Sequence, residues 1–151
     1  RSRTGADTYD PAMGDRTDVA AIERLKARYF RTLDTKDWDG LVRVFTDEVT
    51  VDVAGSGGPT TTSAVAFVER VRRSLGDAIT VHHGHMPEID ITSETTATGI
   101  WAMEDKIWWP DGSAVRFMHG YGHYHETYVR LASGWRIATM QLTRLHREFE
   151  P

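Results

Sequence analysis

The run LGDAITVHHGHMPEIDI, residues 75–91, is where the periodicity of the chain changes. Before Gly76, apolar residues recur at steps of three and four. After it they alternate, first over Thr80 to Ile91 and then over Thr96 to Trp109. Three- and four-residue steps mark helices with one buried face, and strict alternation marks strands. Pro110-Asp111-Gly112 reads as a turn, and two more strands are predicted, Val115 to Arg130 and Trp135 to Leu145, joined through Ala132-Ser133-Gly134.

Upstream, Ile22, Leu25, Tyr29 and Leu33 form one face of a helix from Asp15 to Leu33, opened by Asp15, Thr17 or Asp18. Asp37 reads as the N-cap of a short second helix with Trp38, Leu41, Val42 and Phe45 on its apolar face. Val49, Val51 and Val53 alternate as a strand that GSGGP, residues 55–59, ends. A third helix runs from about Thr61 to Leu75 with Ala64, Phe67, Val68, Val71 and Leu75 inward. Helices first and antiparallel strands afterwards indicate an α+β domain, with helices on one face of a curved sheet that can bend around a pocket. Residues 1–15 read as a flexible arm and 16–151 as a single domain.

The 151 residues, 40% of them hydrophobic, suit one domain with a substantial core. A net charge of −4 without a basic tail or stripe argues against nucleic acid as a partner. Arg70, Arg72 and Arg73, the densest basic patch, read as a solvated helix face. Without cysteine there are no disulfides, thiolate metal sites or thiol nucleophiles. No apolar run approaches the roughly 18 residues of a membrane span, and the opening segment lacks the apolar stretch of a signal peptide. A soluble, cytoplasmic protein is expected. Fifteen arginines against three lysines suggest a GC-rich bacterial genome.

Alternation places His83 and His85 on one face of their strand and His82 on the other, with Gly84 and Met86. It likewise groups Phe117, His119, Tyr121, His123 and His125, with Tyr124 opposite. His-x-His occurs twice, but no carboxylate stands at the spacing of a recognised metal motif, so these histidines read as sheet polarity and no metal is expected. His82 has a candidate partner in Asp34, which lies at a helix C-terminus where the macrodipole disfavours negative charge. A polar turn with Asp37 and Asp39 accounts for Asp34 equally well, and core packing accounts for Tyr29.

The segments IERLKARYFRTLDTKDWDGLVRVF, VDV, TVHHGHMPEIDI, TATGIWAMEDKIWW and GHYHETYVRLASGWRIATMQLTR resemble the SnoaL-like branch of the NTF2-like superfamily over residues 17–147. The resemblance implies a cone in which three N-terminal helices pack on a curved, mainly antiparallel sheet that encloses a pocket. Tyrosine, five residues, aspartate and then a histidine on the first long strand resemble the bile acid 7α-dehydratases and scytalone dehydratases. Hexachlorocyclohexane dehydrochlorinase has a similar spacing, with lysine in place of tyrosine. Asp34 and His82 would then be the catalytic pair and Tyr29 the substrate-facing tyrosine, with His83 as the alternative histidine. Arg144 falls near a substrate-binding basic residue of some members, and His119 and Tyr121 are candidate counterparts of further pocket residues.

The activity so implied is a lyase, a dehydratase-type elimination on a small hydrophobic cyclic molecule. Isomerisation and polyketide ring closure by the same pair are the alternatives, as is a non-catalytic binding or assembly subunit. Trp101, Met103, Phe117, Tyr121 and Met140 are the expected apolar lining. GSGGP lacks the spacing and lysine of a phosphate loop, position 54 is alanine where a nucleophile elbow needs glycine, and no cofactor is expected. Resemblance also implies a homodimer or homotrimer.

Overall fold

The structure, a computed structural model, describes residues 11–151. Residues 1–10 of the expected arm lie outside the described residues. Helix α1, Pro11–Asp34, begins earlier than its sequence caps suggest. Pro11 suits a first helical position because its fixed φ is already helical and its missing N–H is not needed there. Asp18, one of the expected caps, lies inside the helix and accepts hydrogen bonds from Arg130 and, at 3.2 Å, from Trp135 Nε1. Ile22, Leu25, Tyr29 and Leu33 are buried as their spacing requires.

Helix α2, Trp38–Val42, is capped by Asp37, whose carboxylate accepts from the Gly40 N–H at 2.9 Å. Asp37→Ala should cost about 1 kcal/mol, read as a lower urea midpoint at unchanged slope. Phe45 belongs to strand β1, Phe45–Asp52, which starts four residues before the expected valine run. Helix α3, Ala64–Leu75, is capped by Ser63. Strands β2, Ile79–Ile91, β3, Thr96–Trp108, β4, Phe117–Leu131, and β5, Gly134–Glu150, follow. Their order is β1-β5-β4-β3-β2, antiparallel except where β1 runs parallel to β5. The sheet curves, with helices packed on it, and the main core lies between its inner face and the helices. No described helix is long and apolar enough to cross a membrane.

Three bulges reverse the alternation, because an extra residue on one strand turns every later side chain over. In β2 the pairing steps from His85–Ala102 to Glu88–Ile100. Met86 is thrown out at φ 38° with 91% exposure, so it does not share the His82 face as expected, and Ile89 and Ile91 turn to the core. In β5 the step from Ile137–Tyr128 to Thr139–Thr127 moves the inward face from Ile137 to Met140. A second step, from Arg144–Gly122 to His146–Tyr121, leaves Leu145 exposed and brings Arg147 and Phe149 into the cavity lining.

Candidate active site

Helix α1 crosses β2 closely because Gly84 has no side chain: a Cβ there would lie 2.7 Å from the Phe30 ring. The close crossing sets the last residue of α1, Asp34, against His82. The Asp34 Oδ1 to His82 Nδ1 distance is 2.7 Å, and the His82 backbone N–H donates to Oδ2 at 2.8 Å. Thr80 Oγ1 donates to Oδ1 at 2.9 Å and itself accepts from Lys36 Nζ at 2.8 Å. Three donors from β2 thus offset the unfavourable helix end and hold the carboxylate in one orientation. A carboxylate at Nδ1 selects the tautomer protonated there, leaving Nε2 with a free lone pair.

On its other side His82 meets a second acid. Asp105 Oδ2 lies 3.9 Å from His82 Nε2 and is 3% exposed. Arg144 clamps Asp105 with bonds of 2.6 and 2.8 Å and is held in turn by Ser56 Oγ at 2.9 Å. Burial works against the Arg144 charge, but hydrogen bonds and attraction from Asp105 outweigh it and raise its pKa. Gly120 makes room for this pair, since a Cβ there would sit 2.5 Å from both Arg144 and Asp105.

These groups open on a cavity of about 520 Å³, within the size range of small-molecule sites. Its apolar wall includes Phe67, Ile107, Met118, Met140 and Leu142. Tyr29 also lines it, its ring edge-on to that of Tyr124 with centroids 5.8 Å apart. Burial, and after it the carboxylates around it, push the Tyr29 hydroxyl well above its ordinary pKa, so it remains a donor.

Among the residues singled out from the sequence, Tyr29, His82, Met140 and Arg144 line the cavity, and Asp34 stands behind His82. Trp101 and Met103 are buried on the inner face but lie outside the lining: Trp101 Nε1 donates to Tyr128 at 2.9 Å, and Met103 Sδ contacts Arg144 at 3.8 Å. Phe117, His119 and Tyr121 do not reach the cavity. They occupy the outer row of β4, where Phe117 packs at a tilt against Trp108 and His119 lies 3.0 Å from Glu104. His119 also meets the Tyr121 hydroxyl at 3.3 Å. The alternative histidine, His83, is exposed on the same outer face, 3.8 Å from Glu104.

Sequence reading did not pick out Asp105 or Arg147, and it gave Tyr124 no role; Arg70, expected on a solvated helix face, instead lines the cavity, half-buried with a bond to the Pro59 carbonyl. Asp105 was findable, since it alternates with Trp101, Met103 and Ile107 on the inward row and is the acid among apolar residues. Arg147 was not, because the Leu145 bulge decides where it points.

The α+β fold thus brings a carboxylate-bound histidine and a tyrosine to one cavity. A SnoaL-like domain model matches residues 15–141, and the chain belongs to the SnoaL-like family. Its fold is NTF2-like. The chain is 24% identical over 140 residues to "Probable cyclase FGR4" of Gibberella zeae, covering 85% of this chain and 91% of that one. The crystal structure of the Kfla4162 protein from Kribbella flavida superimposes with a TM-score of 0.81 at 30% identity, covering 89% of this chain and 95% of that one. A hexachlorocyclohexane dehydrochlorinase, LinA type 2, shares the fold with a TM-score of 0.81 at 15% identity over 93% of each chain.

Proposed function

We propose that the protein is a small-molecule lyase of the dehydratase type, with the Asp34–His82 pair as general base. One observation carries this reading: the histidine is gripped at Nδ1 by a fixed carboxylate while the apolar cavity it lines offers room for a ring compound. Membership of the SnoaL-like family and the names of the relatives, a cyclase and a dehydrochlorinase, support it at the level of reaction class.

In the proposed reaction His82 Nε2 removes a proton from the carbon beside a substrate carbonyl, and Asp34 stabilises the imidazolium formed. Tyr29 donates to the carbonyl oxygen as negative charge develops there. The electron pair then forms the alkene, the bond to a β-hydroxyl breaks, and the imidazolium returns the proton to the leaving hydroxide as water. No cofactor takes part in this scheme. Ring closure of the aldol type begins with the same proton abstraction, and the similarity to "Probable cyclase FGR4" favours it as the second reading.

Tyr29→Phe should lower turnover about 10- to 100-fold, the loss of one hydrogen bond to a charged oxygen. Because its pKa is raised from 10.0, Tyr29 should contribute no alkaline limb to the pH–rate profile below that value. A panel of cyclic β-hydroxyketones tests the reading, followed by the absorbance of the conjugated enone. Conversion by wild type that His82→Gln abolishes supports it, and conversion equal in both proteins contradicts it.

A further inference from the structure

Charge around the cavity is unbalanced in a way that the dyad does not use. Asp105 is the acid among the described lining residues, and Arg144 neutralises it with two bonds. Two further arginines, Arg70 and Arg147, line the same cavity. Among the described residues neither has a carboxylate partner. Arg70 donates to the Pro59 carbonyl at 2.8 Å and lies over the Phe67 ring at 5.7 Å. Arg147 lies over the Phe149 ring at 5.3 Å.

Depth separates the two kinds of polar group. Tyr29, His82 and Asp105 are buried at the floor, while Arg70 and Arg147 are half-buried at the rim, beside the exposed Pro59 and Phe149 respectively. Each guanidinium lies within cation–π distance of an aromatic ring, an interaction that leaves N–H groups for a ligand. Arg147 faces the cavity only because of the Leu145 bulge, a device that re-aims side chains beside functional sites.

We infer that the substrate carries a carboxylate on its ring system, received at the rim by Arg70 and Arg147 while the ring lies over Tyr29 and His82. This rests on reading the cavity as the substrate pocket, and it narrows the substrate class from any hydrophobic ring to an amphipathic ring acid. A planar carboxylate matches the fork of a guanidinium, and such charge-assisted bonds are about twice as strong as neutral ones. With the anion fixed at the rim, the dyad selects the reacting carbon by its distance from the acid group.

Isothermal titration calorimetry with 1-naphthoate and the uncharged, similarly shaped 1-naphthamide tests the inference without turnover. Wild type should bind the carboxylate at least about tenfold more tightly, and the preference should shrink as salt rises. Arg70→Gln combined with Arg147→Gln should bring the two affinities together. Equal binding by wild type, binding of neither compound, or a preference that survives the double substitution overturns it. A wild-type preference beside a failed dehydration screen would leave the anion site standing and remove the dyad reaction alone.

Discussion

His82→Gln should lower turnover by about 100- to 10,000-fold, the range that a positioned general base supplies, while the fold persists. The fold should survive because part of the local scaffold does not depend on the imidazole. The bond from position 82 to Asp34 Oδ2 comes from the backbone N–H, and Thr80 continues to donate to Oδ1. Glutamine fills much of the imidazole volume, so little new cavity forms beside Asp105. What it cannot do is accept a proton near neutral pH. The comparison requires kcat on an identified substrate together with thermal melts of both proteins. A tenfold or smaller loss would assign the proton transfer to another group.

The largest effect on stability should come from a buried pair outside the Asp34–His82 dyad. Lys26 and Glu126 form an ion pair with both side chains fully buried. Tyr128 donates to Glu126, and the Lys26 ammonium lies 3.6 Å above the Tyr124 ring and 3.9 Å above that of Tyr29. Glu126→Ala leaves a desolvated cation with no counter-charge, which costs about 3–5 kcal/mol, a large part of the stability of an ordinary domain. Replacing both partners, Lys26→Met with Glu126→Leu, should recover most of that loss, because the apolar pair needs no desolvation. Burial lowers the Lys26 pKa, an effect that the Glu126 charge partly opposes. Without Glu126 the folded state binds fewer protons than the unfolded chain as pH approaches the ordinary value of 10.5. Stability of Glu126→Ala should therefore rise with pH in that range. Urea melts at neutral and alkaline pH measure both effects.

Helices and strands were legible because each buries one face, and burial imposes a period on the sequence. The Ile22, Leu25, Tyr29 and Leu33 stripe is such a case, although Lys26 on the same stripe shows that the pattern does not record buried charge. Its partner lies 100 positions away and becomes visible only when β4 is placed against α1. Asp34 and His82 were legible from local anomalies together with the resemblance. The cavity lining was legible only in part. On β4 the inner row contains Gly120 and Gly122, which make room for neighbours, so the outer row with Phe117 and Tyr121 carries the stronger apolar signal. Aromatic character therefore pointed to the wrong face. Bulges at Met86, near Thr139 and at Leu145 are set by pairing between strands and leave no mark on the alternation of a single strand.

The most direct measurement is a ¹H–¹⁵N correlation spectrum of the histidine rings at neutral pH, wild type against Asp34→Asn. Wild type should carry the His82 ring proton on Nδ1 and leave Nε2 bare, the arrangement a general base requires, and Asp34→Asn should give a mixture of tautomers. A proton on Nε2 in wild type, or a tautomer indifferent to Asp34, would contradict the proposed role of the pair.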